Sequence, residues 1–212
     1  MVRMAPHGRE ALAELALPVL GLTGAIAAGK SVAGELLGSM GCVVSCSDQH
    51  AHEVLRAPEV VETLVGWWGI EILNPEGGVS RPAVAERVFA SQIERKRLEA
   101  LVHPRIEKLR QAYFAQATPA TKALVIEAPL LFEAEMDVHC VQTIFIDAPR
   151  PLRLARVAER GWDCEELDRR ESAQWSLDVK REKADHVVQN EGSLDELRLQ
   201  LETILLHLIA SE

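Results

Sequence analysis

The stretch of this sequence best suited to chemistry is an eight-residue loop that ends in a lysine and a serine. The residues from Gly24 to Ser31 fit the pattern GxxxxGK followed by Ser or Thr, which binds the phosphates of nucleotides. Its glycines let the backbone curl so that amide N–H groups point at an anion, and a following helix adds the positive potential of its N-terminus. In this pattern Lys30 supplies a mobile cation for the β- and γ-phosphates, and the Ser31 hydroxyl is a ligand for Mg²⁺.

The sequence on either side of the loop supports this interpretation. A short apolar strand at 19–23 precedes the loop, and an amphipathic helix near 31–40 follows it. A glycine-rich turn can match the pattern by chance, but the strand–loop–helix context is the one that phosphate binding requires. The residues predicted to bind the nucleotide here are Gly24, Ala25, Ile26, Ala27, Ala28, Gly29, Lys30, Ser31 and Val32. The loop does not identify the phosphoryl acceptor.

The elements that must position this loop alternate between strand and helix. Apolar runs predict strands at 19–23, 42–45, 123–128, 141–147 and 187–188, and a closing helix at 193–209. The third and fourth runs are apolar at several consecutive positions (123–126 and 144–146) instead of alternating with polar residues, which is typical of strands covered on both faces. We therefore predict an α/β fold, a P-loop NTPase-type doubly wound parallel sheet flanked by helices. It would follow an N-terminal extension (1–17) and carry a helical substrate-binding insertion (about 49–118) and a lid (about 150–183).

Composition and charge restrict the classes of partner. The chain has a formal net charge of −9 and 48% hydrophobic residues, which argues against a nucleic-acid or anionic-membrane surface. No apolar run is long enough to predict a membrane span, and the first 17 residues do not resemble a secretory signal. The four cysteines show no metal-ligand or disulfide spacing. We predict reduced thiols in a cytoplasmic protein.

Further motifs follow the loop in a particular order. They are Asp48 after the second strand, Arg81, Val88-Phe89, Leu98-Glu99, His103-Pro104, the run from Pro129 to Glu133, Asp147-Ala148-Pro149, Arg156, Arg160, Arg170, Gln174, Ala184-Asp185, Asn190 and Gly192. In this order and spacing the chain resembles the dephospho-coenzyme A kinases from residue 17 to about 209. The resemblance implies transfer of the ATP γ-phosphoryl group to the ribose 3′-hydroxyl of dephospho-coenzyme A, with ATP and Mg²⁺ as cofactors.

The resemblance also assigns catalytic roles. It makes Asp48 the base that accepts the proton of the acceptor hydroxyl, although an aspartate at this point is equally suited to cap a helix. It makes Arg156 the lid arginine that contacts the triphosphate. Arg156 and Lys30 are therefore predicted to be catalytic residues together with Asp48. Arg153, Arg156 and Arg160 fall on one face of a helix at 100° per residue. Arg153 has no counterpart in the family and is predicted to lie on the surface, and the roles of Arg160 and Arg170 stay open.

Three more residues receive a role from the resemblance alone. Asn190 matches a position near the donor adenine, although the sequence alone indicates only a residue of a turn. Arg81 and His103, with Asp48, would line the acceptor pocket; by themselves they are a helix-start residue and a helix-interior histidine. The chain departs from the family pattern at Cys46, which replaces the first Asp of an Asp-x-Asp. It also carries alanines in a loop that is usually richer in glycine, which is acceptable wherever φ is negative.

Two other functions remain as alternatives. Another small-molecule kinase or a nucleoside monophosphate kinase would also explain Lys30, Ser31 and the arginines. It would not explain the run from Pro129 to Glu133 together with His103-Pro104 and Asp48. A nucleotide-binding regulatory protein would be expected to carry a guanine-reading Asn-Lys-x-Asp element, which this sequence lacks. The oligomeric state is not predicted.

Overall fold

The computed structural model describes residues 17–210, and five strands of this part of the chain form one sheet. They are β1 (Val19–Gly24), β2 (Val43–Cys46), β3 (Leu124–Glu127), β4 (Gln142–Asp147) and β5 (His186–Gln189). Neighbouring strands are all parallel, in the order β2-β3-β1-β4-β5. Residues 1–16 of the predicted N-terminal extension lie outside the described part of the chain.

Helices connect the strands and close the chain. They are α1 (Lys30–Ser39), α2 (Ser47–Arg56), α3 (Pro58–Trp68), α4 (Arg81–Ala90), α5 (Gln92–Phe114), α6 (Arg150–Ala158), α7 (Cys164–Glu171), α8 (Leu177–Lys183) and α9 (Leu194–Ala210). Ser80 caps α4 by accepting a hydrogen bond from the amide of Ala83, and a proline occupies the first turn of that helix, as the sequence predicts. Within the described residues, every helix is too short or too polar to cross a membrane.

Alternate residues of the strands enter two separate hydrophobic clusters. Leu20 and Leu22 of β1 pack with residues of α1 and α9, such as Leu201. Leu124 of β3 packs instead with Phe114 at the end of α5. Successive side chains of a strand point to opposite faces, so a sheet with an apolar cluster on each face needs helices on both. The predicted doubly wound parallel sheet is confirmed.

The chain divides into two compact units. The sheet unit contains residues up to Cys46 and from Tyr113 onward, and the helical unit contains Ser47–Ala112. The helical unit has its own apolar core, built by α2 to α5 and the 3-10 turn Ile70–Ile72; its buried members are Val54, Val60, Leu64, Ile72, Val84 and Val102. The chain enters this unit directly after β2 and leaves it near the end of α5.

Candidate active site

The phosphate loop joins the end of β1 to the start of α1, and both of its patterned glycines are required by geometry. The amide of Ala25 donates to the Ile146 carbonyl on β4 (3.1 Å). A Cβ on Gly24 would lie 2.5 Å from that same carbonyl oxygen. Gly29 has a φ of +96°, and a Cβ there would lie 2.1 Å from Nδ2 of Asn190. Any other residue at position 24 would push the loop away from β4, and any other residue at position 29 would be strained and would displace the Asn190 side chain.

Ala27 also has a positive φ, of 61°. The negative φ under which alanine is acceptable in this loop is therefore not found at this position. The left-handed region costs a residue with a Cβ roughly 1–2 kcal/mol. Arg156 offsets part of this strain, because its Nη1 donates to the Ala27 carbonyl (3.1 Å). The loop keeps a glycine-like conformation with the help of a side chain from another element.

The lysine and serine of the loop lie beside a carboxylate that the sequence analysis did not single out. Glu127 is the last residue of β3 and is buried, with 6% of its surface exposed. Its Oε1 lies 3.9 Å from Nζ of Lys30 and accepts a long hydrogen bond of 3.5 Å from Oγ of Ser31. A hydroxyl and a carboxylate side by side are oxygen ligands of the kind Mg²⁺ prefers. The donor set fits the metal that the loop pattern implies.

A signal for Glu127 was present in the sequence. It is an acidic residue that ends a continuously apolar run, and such a residue is expected at the carboxyl edge of a parallel sheet. Its Cα is paired in register with Cys46 at the end of β2. Cys46 stands where the family pattern has an aspartate. Glu127 on the neighbouring strand β3 therefore places a carboxylate beside Cys46, the position at which the resemblance implies an aspartate.

Arg156 and Asn190 both contact the backbone of the phosphate loop. Nη2 of Arg156 donates to the Asn190 carbonyl (3.3 Å), and Nδ2 of Asn190 donates to the Ala28 carbonyl (2.7 Å). Asn190 is buried and follows β5 directly. The structure thus brings both residues to the loop. Their contacts with the triphosphate and the adenine stay predictions.

The predicted surface position of Arg153 is wrong. Only 4% of this residue is exposed. Its Nε donates to the Ala148 carbonyl (3.1 Å), its Nη1 to the Ile26 carbonyl of the loop (3.5 Å), and the same guanidinium forms an ion pair with Glu171 of α7. A buried charge is tolerated where it is paired and hydrogen-bonded, and these partners satisfy that requirement. The spacing of the arginines on α6 did not predict these partners of Arg153.

The other two arginines of this region lie elsewhere. Arg160 follows the end of α6 at Ala158 and is exposed, so it does not extend an arginine face of that helix. Arg170 on α7 is also exposed; its guanidinium lies 4.0 Å from the Trp162 ring centroid, and its Nε donates to Glu166 (2.6 Å). The two residues are surface groups in this structure, and Arg153 and Arg156 contact the loop.

Asp48 belongs to the helical unit. It is the second residue of α2, which begins at Ser47 immediately after β2. The helix-cap alternative is therefore wrong, because the residue lies inside the first turn. A negative charge there still interacts favourably with the helix N-terminus.

Within the helical unit, Asp48 and Arg81 both act on His52. Burial and the Arg81 guanidinium lower the pKa of His52, and the Asp48 carboxylate opposes them. Nε2 of His52 is buried and has no hydrogen-bond partner among the described residues. His52 lies four residues after Asp48, on the same side of the helix. This spacing could have predicted from the sequence that the two side chains interact. His103, the third predicted acceptor residue, is exposed on α5.

Comparison with known proteins gives one consistent result. The sequence model of the dephospho-CoA kinase family matches residues 18–196. The chain is 37% identical over 191 residues to the dephospho-CoA kinase of Symbiobacterium thermophilum, covering 87% of this chain and 78% of that protein. It is 36% identical over 193 residues to the dephospho-CoA kinase of Arabidopsis thaliana, covering 90% of this chain and 83% of that protein.

Solved structures agree with the sequence comparisons. TT1252 from Thermus thermophilus has a TM-score of 0.80 and 33% identity, covering 91% of this chain and 98% of that one. The dephospho-CoA kinase from Campylobacter jejuni has a TM-score of 0.55 and 25% identity, covering 89% and 96%. The family model spans most of the chain, and the relatives match over most of their length. The predicted family is confirmed: this chain belongs to the dephospho-CoA kinase family.

Proposed function

We propose that this protein transfers the γ-phosphoryl group of ATP to the ribose 3′-hydroxyl of dephospho-coenzyme A, with coenzyme A and ADP as products. The observation that carries the proposal is the phosphate loop of a chain in this family, with Lys30 and Ser31 set beside the buried carboxylate of Glu127. Phosphoryl transfer needs positioning and charge stabilisation more than covalent help from the protein, and these groups supply both.

The sheet unit handles the nucleotide. Amides of the loop and the start of α1 bind the phosphates, and Lys30 places its ammonium group between the β- and γ-phosphoryl oxygens. Arg156 reaches the loop from α6 and contacts its backbone, which supports the proposed contact of its guanidinium with the triphosphate. Asn190 supports the loop by donating a hydrogen bond to the Ala28 carbonyl.

Ser31 and Glu127 would hold Mg²⁺. The Ser31 hydroxyl would be a direct ligand, and the Glu127 carboxylate would bind the ion directly or through a water molecule. When bound, the ion neutralises charge on the phosphate oxygens. Ser31 and Glu127 come from different elements, α1 and β3, so the sheet must form before these two oxygens meet.

Asp48 serves the acceptor. The carboxyl ends of parallel strands lie at one edge of a sheet, and Asp48 follows the end of β2 as the phosphate loop follows the end of β1. As the acceptor oxygen bonds to the γ-phosphorus, the bond from that phosphorus to the ADP oxygen breaks. The hydroxyl proton passes to the Asp48 carboxylate. Arg81 and His103 of the helical unit are proposed to bind other parts of the acceptor.

Dephospho-coenzyme A is expected to be the preferred acceptor in a panel that also contains gluconate, shikimate and nucleoside monophosphates. A coupled assay of ADP release, run at one ATP and Mg²⁺ concentration, measures kcat/KM for each acceptor. An acceptor other than dephospho-coenzyme A that proves about tenfold better would contradict the proposed substrate; a factor of ten corresponds to about 1.4 kcal/mol. ATP consumption that needs no hydroxyl acceptor would instead support a regulatory nucleotide-binding protein.

Replacing Glu127 by glutamine is expected to raise the Mg²⁺ concentration needed for half-maximal activity by at least about tenfold, as loss of a supporting ligand does in other metal sites. Glutamine keeps the size of the side chain but removes the charge that attracts the ion. The measurement is kcat against Mg²⁺ at saturating ATP. Glu35→Gln is the matched control, because it removes a carboxylate from an exposed position on α1. An unchanged Mg²⁺ requirement for Glu127→Gln would exclude Glu127 from the metal site.

The remaining predictions concern the surroundings of the enzyme. Burial raises the pKa of the Cys42 thiol to about 11, so this thiol stays protonated at neutral pH. The reduced state of the four cysteines stays a prediction. The cytoplasmic location and the lack of a nucleic-acid partner stay predictions. The oligomeric state is not part of the proposal.

A further inference from the structure

Three consecutive carbonyls of the phosphate loop each accept a hydrogen bond from a side chain. The Ile26 carbonyl accepts from Arg153 (3.5 Å), the Ala27 carbonyl from Arg156 (3.1 Å) and the Ala28 carbonyl from Asn190 (2.7 Å). The donors come from α6 and from the residue that follows β5. The backbone of the loop is therefore held by side chains more than 120 residues later in the sequence.

The direction of these carbonyls affects phosphate binding. A peptide unit is planar and trans, so the carbonyl of one residue and the N–H of the next point in opposite directions. Loops of this kind bind phosphate through N–H groups that point inward. A donor that holds the Ile26 carbonyl outward therefore turns the N–H of Ala27 inward, and the bond from Asn190 to the Ala28 carbonyl does the same for the N–H of Gly29. The N–H of Ala28, between them, donates to the Ala25 carbonyl (3.1 Å) and closes a turn inside the loop.

Arg153 is the member of this set with an unexpected environment. It lies almost fully buried on α6, and Glu171 of α7 forms an ion pair with it. Glu171 is itself mostly buried, with 18% of its side chain exposed, and it also lies 3.7 Å from Arg150. A buried arginine keeps its place only while its charge is compensated. The position of Arg153 against the loop thus depends on Glu171.

We propose that Arg153 and Glu171 are positioning residues for nucleotide binding: Glu171 fixes Arg153, and Arg153 fixes the first of the three loop peptides. Through this pair, α7 in the lid region is connected to the phosphate loop. The inference rests on the proposed use of ATP by this loop, but not on the identity of the acceptor. It adds two residues to the nucleotide site, neither of which touches the nucleotide.

The test compares Arg153→Lys and Glu171→Gln with Asp168→Asn. Lysine keeps the charge but lacks the guanidinium fork, and glutamine keeps the shape but lacks the charge. Asp168 is the matched control, because it lies on the same helix and pairs with Arg150 at the surface, where its side chain is 56% exposed. Each variant is titrated with a fluorescent ADP analogue at saturating Mg²⁺, and its thermal unfolding is followed by circular dichroism.

Arg153→Lys and Glu171→Gln are expected to weaken ADP binding by at least about tenfold, the usual effect of a lost hydrogen bond to a charged group. Their KM for dephospho-coenzyme A should be unchanged, and Asp168→Asn should bind ADP like the unmodified protein. The double variant Arg153→Lys/Glu171→Gln should bind ADP no more weakly than the single variant with the lower affinity. Both substitutions break the same connection between α7 and the phosphate loop. Titration far below the unfolding temperature keeps binding separate from stability.

Two results would overturn the inference. Variants that unfold at lower temperature but bind ADP normally would show that the pair stabilises the fold and nothing more. Equal weakening by Asp168→Asn would show that any change of charge on α7 has the same effect. A failure of the proposed substrate is a separate result, because ADP binding does not require dephospho-coenzyme A.

Discussion

Asp48→Asn is expected to lower kcat by at least about 10²-fold, the lower bound of what general-base assistance contributes. Asparagine keeps the size of aspartate but does not accept a proton at neutral pH, so the acceptor hydroxyl loses its base. The KM for ATP should change little, because the carboxylate serves the acceptor and not the triphosphate. Steady-state kinetics with dephospho-coenzyme A at saturating ATP and Mg²⁺ measure both quantities.

A dependence on Mg²⁺ separates the role of a base from that of a metal ligand. If Asp48 bound the metal ion, a higher Mg²⁺ concentration would restore kcat in Asp48→Asn, whereas a lost base is not replaced by metal. Glu53→Gln is the matched control, because it removes a carboxylate from an exposed position on the same helix. Thermal stability should fall by only a few tenths of a kcal/mol, the contribution of a charge near a helix N-terminus. Near-normal kcat for Asp48→Asn at ordinary Mg²⁺ would contradict the assignment.

Lys30→Ala is expected to lower kcat/KM for ATP by about 10²–10³-fold, which is the typical loss when one preorganised group that stabilises the transition-state charge is removed. The Lys30 side chain is 15% exposed and its ammonium group lies 3.9 Å from Glu127, so it is held at the loop and not extended into solvent. Its charge is needed where negative charge gathers on the β- and γ-phosphoryl oxygens. The measurement is kcat/KM for ATP with a fixed concentration of acceptor.

Lys122→Ala serves as the control for Lys30→Ala. Lys122 is exposed and precedes β3 at the opposite end of the sheet from the loop, so its removal should leave turnover unchanged. Circular dichroism checks that Lys30→Ala stays folded, which we expect because the distance to Glu127 is at the outer limit of an ion pair. Undiminished turnover in a folded Lys30→Ala variant would remove the phosphate loop from the mechanism.

Much of the nucleotide site could be predicted from sequence because its parts are consecutive. One strand end, one turn and one helix start supply the amides, Lys30 and Ser31, so the pattern that specifies the backbone also specifies the chemistry. The strands could be predicted for a similar reason. Runs such as 123–126 are apolar at every position, which is expected of a strand covered on both faces. The observed bounds of these strands differ from the predicted ones by at most one residue, which is within the usual uncertainty at the ends of an element.

Glu127 was missed because its function depends on strand order. It lies 96 residues after Ser31, and the two side chains meet only because β3 pairs with β1. The apolar run that identifies β3 as a strand contains no information about its neighbour. The same applies to the pairing of Glu127 with Cys46, which required β2 to lie on the other side of β3.

The sequence by itself determined that this protein binds a nucleotide on a parallel sheet, because local backbone preference and apolar periodicity are properties of neighbouring residues. The tertiary structure decided which charges are buried and which backbone is strained. Arg153 looked like a surface arginine until Glu171 and the Ile26 carbonyl were brought to it from distant parts of the chain. Ala27 could adopt a positive φ because Arg156 holds its carbonyl. A charge or a strained peptide persists in the interior only where a distant group compensates it, and that group is found only after the chain has folded.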